Sequence, residues 1–90
     1  MTKHLTFIVS GKVQGVFYRA SARDVAKSLG LTGSVWNLPD GSVQIEVEGE
    51  QEVINKFYSW CLEGPPRATV SRIDVQEGTI KGYSEFTIAR

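Results

Sequence analysis

The sequence contains few of the residues that crosslink chains, bind metals or create a strong net charge. Its 90 residues include one cysteine, one histidine and three prolines, and ten lysine and arginine residues balance ten aspartate and glutamate residues. A single cysteine excludes an intramolecular disulfide and a cysteine zinc cluster, and no metal-ligand spacing is present. The balanced charge argues against a polyelectrolyte partner such as nucleic acid.

Long apolar segments are also absent. No apolar run approaches the roughly 20 residues that a membrane-spanning helix needs, and Met1 to His4 lead into β-forming residues with no secretory core. We therefore expect a cytoplasmic protein without membrane contact. A chain of this length allows one domain, over residues 1–90, with a modest core. We expect a monomer, with His4 on the surface and Cys61 as a buried thiol.

Apolar periodicity predicts two helices and four or five strands. The strands cover residues 5–9, 31–38, 42–48 and 70–75, the helices cover 21–29 and 50–62, and residues 86–88 could add a short fifth strand. The order β-α-β-β-α-β is that of the ferredoxin-like α+β sandwich, in which two helices pack on one face of an antiparallel sheet. Many unrelated proteins share this fold, so the fold alone predicts no activity.

Individual residues predict how these elements begin, turn and face water. Ser21 is the predicted N-cap of the first helix, and residues 39–41, Pro-Asp-Gly, predict a tight turn between two strands. In the strand after that turn, Gln44, Glu46 and Glu48 alternate with apolar residues. The alternation predicts that one face of the sheet lies in the core and the other in water.

Two glycines and an arginine lie between the first strand and the first helix, in the segment Gly11-Lys12-Val13-Gln14-Gly15-Val16-Phe17-Tyr18-Arg19. Glycines let backbone N–H groups converge, and a helix N-terminus adds unpaired donors at a positive dipole end. Arg19 could donate two hydrogen bonds to one phosphate. The residues alone leave an alternative open, in which the glycines only form a turn and Arg19 pairs with Asp24.

These nine residues resemble the acylphosphatase signature G-x-V-Q-G-V-x-F-R, with Tyr18 where phenylalanine is usual. The segment Gly33-Ser34-Val35-Trp36-Asn37, followed by Gly41, Val43 and Gly49, resembles the second signature of that family. Ser34 and Trp36 depart from its usual pattern. Residues 64–68, Gly-Pro-Pro-Arg-Ala, resemble the segment after the family's second helix, so the resemblance spans most of the chain.

The resemblance implies hydrolysis of acyl phosphates without a metal or other cofactor. It implies that Arg19 and the loop hold the phosphate and that Asn37 positions the attacking water, which makes Arg19 and Asn37 the catalytic residues. The implied phosphate-binding residues are Gln14, Gly15, Val16, Phe17, Tyr18 and Arg19. A small acyl phosphate is the implied substrate, and inorganic phosphate or sulfate a product-like ligand. Without the resemblance, the residues favour Asn37 as a turn residue that only shapes the hairpin.

Two other functions compete with this interpretation. Cys61 and Arg67 have the C-x5-R spacing of cysteine-dependent phosphatases, but the prolines between them lack N–H groups for an anion loop. A non-catalytic phosphate- or RNA-binding module would use the same fold, and RNA readers stack bases on aromatic side chains of the open sheet face. The candidate aromatics here are Phe7, Trp36 and Phe86. Arg23 is expected to be a solvated residue of the first helix.

Overall fold

The computed structural model describes residues 1–89 as a five-stranded sheet with two helices. The strands are β1 (Thr2–Lys12), β2 (Thr32–Asn37), β3 (Val43–Glu50), β4 (Thr69–Gly78) and β5 (Phe86–Ile88), and the helices are α1 (Tyr18–Ser28) and α2 (Gln51–Glu63). The strand order is β4-β1-β3-β2-β5. The predicted βαββαβ fold and its short fifth strand are confirmed. The sheet is mixed, because β5 pairs in parallel with β2 whereas the other neighbours are antiparallel.

The core lies between one face of the sheet and the two helices. Alternate residues of β1 and β3 point into it, and Phe57 of α2 packs 6.2 Å from the ring centre of Phe7 and 5.9 Å from that of Phe86. The small side chains of Ala22 and Ala26 are fully buried and let α1 pack closely against the sheet. Within residues 1–89, neither helix is long and apolar enough to cross a membrane.

Helix α1 begins at Tyr18, earlier than the start predicted from Ser21 as N-cap. The prediction was wrong because Tyr18 is almost fully buried and its hydroxyl is hydrogen-bonded to α2, which extends the helix toward the preceding loop. The C-terminal end follows local rules. The N–H of Gly30, at φ 75°, donates to the Lys27 carbonyl and the N–H of Leu31 donates to the Ala26 carbonyl, which is the Schellman arrangement.

The second face of the sheet is only partly open to water, contrary to the prediction. Glu46 and Glu48 are buried, at 7% and 4% exposure, because residues 79–85 cross over them between β4 and β5. His4, predicted at the surface, is 3% exposed and its Nδ1 lies 2.8 Å from a Glu48 oxygen. The alternation in β3 correctly predicted that its side chains lie on two faces of the sheet. The periodicity of one strand cannot show that a distant segment, residues 79–85, covers the second face.

Candidate active site

Strand β1 has a bulge near its C-terminal end, just before the loop to α1, at a position that requires glycine. The β1–β4 register shifts between Ser10 and Gly11, and Gly11 has φ 127°. A Cβ at Gly11 would lie 2.2 Å from the Thr69 carbonyl oxygen, closer than any real contact. The bulge bends β1 just before the strand ends at Lys12, where the loop of residues 13–17 begins.

Buried apolar side chains hold both sides of this loop. Val13 and Val16 are 1% and 5% exposed, whereas Gly15 between them is exposed at φ 73°, with open space where a Cβ would be. Within residues 1–89, the backbone N–H groups of residues 14–18 donate no hydrogen bond. The loop therefore presents unused donors on a backbone that its anchors make rigid, which suits an anion.

The start of α1 adds positive potential to the same place. Phe17 is the N-cap, in the left-handed region at φ 64° and ψ 24°, with no side-chain cap and no acidic residue in the first turn. Arg19 lies in that first turn. Because the helix dipole has its positive end here and the first turn contains no acidic residue, the loop and the first turn of α1 together favour a negatively charged ligand.

Asn37 approaches the loop from the β2–β3 hairpin. It is the last residue of β2, its side chain is exposed, and its register partner is Val43. The Gln14 side-chain amide donates to the Leu38 carbonyl at 2.8 Å and to the Ser42 carbonyl at 2.9 Å. These two bonds tie the loop to the hairpin and so set the position of Asn37 relative to it. The sequence motif did not predict that the Gln14 side chain binds the hairpin.

Arg19 and Asn37, which are distant in sequence, line one open pocket of about 470 Å³. Its lining residues are Val13, Gly15, Phe17, Tyr18, Arg19, Ala20, Asn37 and Ile88. Within residues 1–89 Arg19 has no carboxylate partner, and the alternative pairing with Asp24 is absent because Asp24 pairs with Arg23 at 3.1 Å. Gln14 and Val16, which were predicted as site residues, are not among the lining residues, and the predicted set did not include Val13, Ala20 or Ile88. Ile88 carried no signal beyond being an apolar residue of the last strand.

Tyr18 shows how the loop is joined to the second helix. Its hydroxyl donates to the Cys61 carbonyl at 2.7 Å. In a continuing helix that carbonyl would accept from residue 65, but Pro65 has no N–H. Tyr18 thus satisfies an acceptor that the helix end leaves unpaired, and burial raises the pKa of its hydroxyl. The ring also packs against Trp60, with centroids 5.5 Å apart.

The cysteine-dependent mechanism and the RNA-binding interpretation do not fit the structure. Burial raises the pKa of the Cys61 thiol to about 12 and no surface of Cys61 is exposed, so it cannot serve as a thiolate nucleophile with the exposed Arg67. For RNA stacking, Phe7 and Phe86 are both in the core, at 0% and 1% exposure. Of the three candidate aromatics only Trp36 remains partly exposed, which is too few for a stacking platform.

Residues 1–89 contain no group of three or more His, Cys, Asp or Glu side chains that could hold a metal ion. The polar groups that the lining residues offer are the Arg19 guanidinium, the Asn37 side-chain amide and the backbone N–H groups of Gly15, Phe17 and Tyr18, which have no hydrogen-bond partner within residues 1–89. All of these can donate hydrogen bonds to an anion, and only the amide oxygen can also accept one from water.

Comparison with known proteins identifies the family to which this chain is similar. The sequence model of the family described as Acylphosphatase matches residues 5–88. An acylphosphatase of Methylococcus capsulatus is 47% identical over 89 residues, which cover 98% of this chain and 97% of that protein. The structure of an acylphosphatase from Coxiella burnetii aligns with a TM-score of 0.94 at 42% identity, over 98% of this chain and 93% of that one. The acylphosphatase of Bacillus subtilis aligns over the full length of both chains, with a TM-score of 0.95 at 33% identity.

Proposed function

The chain belongs to the acylphosphatase family and is an acylphosphatase, and from this premise we propose how its pocket hydrolyses acyl phosphates. The proposal is supported by two observations: Arg19, Asn37 and residues of the loop line one open pocket, and the loop N–H groups have no hydrogen-bond partner within residues 1–89. In the proposed reaction, water attacks phosphorus directly and no covalent enzyme intermediate forms. The products are a carboxylate and inorganic phosphate.

The loop and Arg19 bind the phosphate in this proposal. Backbone N–H groups of residues 14–18 donate to phosphate oxygens, and the Arg19 guanidinium donates through its planar fork. Both sets of donors stabilise the charge that spreads over the equatorial oxygens in the transition state. Gln14 contributes its backbone, since its side chain holds the hairpin, and the burial of Val16 and Tyr18 makes their part a backbone role as well.

Asn37 orients the nucleophile. Its side-chain oxygen accepts a hydrogen bond from a water molecule, which leaves a lone pair of the water directed at phosphorus. The bond between phosphorus and the acyl oxygen breaks, and its electron pair leaves with the carboxylate as the new bond to water forms. A carboxylate is a good leaving group, since the pKa of its acid is about 4, and the water releases its proton to solvent or to the phosphate. Orientation and charge stabilisation are then sufficient.

The experiment that tests this mechanism is hydrolysis of benzoyl phosphate, followed by ultraviolet absorbance in the presence of a chelator. Asn37→Ala should lower kcat by about 10²–10³-fold, the usual effect of removing one positioned polar group. Asn55→Ala changes an exposed asparagine of α2 and should leave kcat unchanged. Circular dichroism checks the fold of each variant.

Three outcomes would contradict the proposal. Normal turnover by Asn37→Ala would mean that another group positions the water. Loss of activity in a folded Cys61→Ala variant would support the cysteine mechanism. A wild-type protein that binds phosphate but hydrolyses nothing would favour a non-catalytic phosphate-binding module.

A further inference from the structure

One side chain at the pocket has a position that folding does not explain. Phe17 is 77% exposed, although the other apolar residues of the loop, Val13 and Val16, are buried. Within residues 1–89 it is the only non-glycine residue with positive φ. An exposed phenyl ring and a left-handed backbone are both unfavourable for an ordinary residue, and glycine would remove both costs. Residues held this way often serve a site.

The lining of the pocket falls into two chemical groups. Arg19 and Asn37 supply charge and hydrogen bonds, whereas the side chains of Phe17, Ala20 and Ile88 are apolar. Phe17 reaches the pocket from the N-cap of α1, and Ile88 reaches it from the last residue of β5. An acyl phosphate has the same two parts, since a charged phosphate is joined to an organic acyl group.

We infer that Phe17 and Ile88 are specificity-determining residues that bind the acyl group, and that they favour aromatic or branched apolar acyl groups over small or charged ones. The inference rests on the proposed function, because it takes the Arg19 and Asn37 side of the pocket as the phosphate site. Contact with an apolar acyl group removes the exposed surface of the Phe17 ring from water. Among residues 1–89 Phe17, Ala20 and Ile88 offer no charged partner, so a carboxylate or second phosphate at the same place would lie against apolar side chains, which is unfavourable.

The test compares kcat/KM for benzoyl phosphate and for acetyl phosphate, whose phosphate groups are the same and whose acyl groups differ. Phe17→Ser and Ile88→Thr should each lower the benzoyl-to-acetyl ratio by about tenfold, the discrimination that one apolar contact in a pocket provides. Phe17→Leu keeps an apolar side chain and should retain most of the ratio. Val75→Ser changes a half-exposed apolar residue on β4, at the opposite edge of the sheet, and should leave the ratio unchanged.

Inhibition by inorganic phosphate separates this inference from the proposed function. Phosphate lacks an acyl group, so its inhibition constant should stay within about twofold of wild type in every Phe17 and Ile88 variant. Phe17→Gly provides a second variant that suits the positive φ, so the ratio can be measured even if Phe17→Ser folds poorly.

The inference is overturned if the benzoyl-to-acetyl ratio does not change in the folded Phe17 and Ile88 variants. It is also overturned if both substrates and inorganic phosphate lose affinity together, since Phe17 would then act through the phosphate loop. A wild-type protein that hydrolyses neither substrate would refute the proposed function itself, and the inference with it.

Discussion

Two groups of polar side chains lie near opposite ends of β1, and they differ in how completely they are hydrogen-bonded. After the end of β1, Arg19 and Asn37 make no side-chain hydrogen bond within residues 1–89. Near its start, Glu48 accepts hydrogen bonds from His4 and from the backbone N–H groups of Lys81, Gly82 and Tyr83, at 2.8, 2.6, 3.1 and 3.1 Å.

Glu46 completes this second group, which we call the carboxylate cluster: His4, Glu46, Glu48, Lys81 and Tyr83. Glu46 accepts from the Lys81 ammonium at 2.8 Å and from the Tyr83 hydroxyl at 2.9 Å, and the His4 and Tyr83 rings stack. Because its polar groups satisfy one another, the cluster fastens residues 79–85 to the sheet and leaves little capacity for a ligand. Donors without partners, as at the Arg19 and Asn37 pocket, are available to bind a ligand, whereas the fully hydrogen-bonded carboxylate cluster stabilises the fold.

The largest expected effect that tests this comparison is the loss of turnover in Arg19→Ala. We expect a decrease in kcat/KM of at least about 10³-fold, because the charge on the transferred phosphate loses the one cationic side chain that lines the pocket among residues 1–89. The inhibition constant of inorganic phosphate should rise as well, while the free energy of unfolding stays close to wild type.

Arg23→Ala is the matched control for Arg19→Ala. Arg23 lies one turn further along α1 and pairs with Asp24, so its removal should affect neither turnover nor phosphate inhibition. If Arg19→Ala binds inorganic phosphate as tightly as wild type, Arg19 is not a phosphate-binding residue.

The next largest effect should be on stability. Glu48→Ala removes the charged acceptor of three backbone N–H groups and of the buried His4 ring, and losing these charge-assisted bonds costs about 3 kcal/mol. Urea unfolding measures the change. Glu77→Ala, at an exposed and long ion pair with Lys3, should cost less than about 0.5 kcal/mol. Equal effects of the two substitutions would mean that the cluster does not stabilise the fold.

A smaller loss of stability should appear on acidification. Burial alone would raise the pKa values of Glu46 and Glu48, but the hydrogen bonds from Lys81, Tyr83 and His4 outweigh it and hold both pKa values below the usual range. A lowered pKa in the folded state means that the unfolded state binds more protons in acid.

The stabilisation is therefore complete above the unfolded pKa of about 4.3 and is lost as the pH falls through the folded values. Urea midpoints measured between neutral pH and pH 3 should show this decrease, and the double variant Glu46→Gln with Glu48→Gln should show a shallower one. A parallel pH dependence in the double variant would assign the acid sensitivity to other carboxyl groups.

The smallest effect concerns the residue that joins the site to the second helix. Tyr18→Phe removes the hydrogen bond to the Cys61 carbonyl and should lower the free energy of unfolding by about 1 kcal/mol, with kcat within about twofold of wild type. Tyr58→Phe, whose hydroxyl makes no hydrogen bond within residues 1–89, should be close to neutral. A large decrease in kcat for Tyr18→Phe would show that this bond also positions the loop for catalysis.

Much of the fold follows from local patterns in the sequence. The alternation in β3 separates core from non-core residues because successive side chains of a strand point to opposite faces. The spacing of Ala22, Val25, Ala26 and Leu29 predicts α1 because residues four apart share a helix face, and Gly30 ends that helix where positive φ is needed. The start of α1 was misplaced because a distant partner, the Cys61 carbonyl, determines it.

Parts of the candidate site could also be predicted, since the motif names Arg19 and Asn37 directly. The apolar lining that we infer to bind the acyl group could not be predicted. Ile88 lies far from Arg19 in the sequence, and none of its flanking residues indicates that it lines a pocket. It reaches the pocket because β5 pairs in parallel with β2 at the edge of the sheet, which is a consequence of global topology.

The sequence by itself determined the family and the order of the elements and named the candidate phosphate-binding residues, because short motifs and periodic apolar residues act over a few neighbours. Only the tertiary structure decided that His4, Glu46 and Glu48 are buried, that the Gln14 side chain ties the loop to the hairpin, and that Phe17 and Ile88 face one pocket. These contacts join segments that are far apart in the chain. Their formation depends on how the sheet, the helices and residues 79–85 pack together, and no local pattern encodes that arrangement.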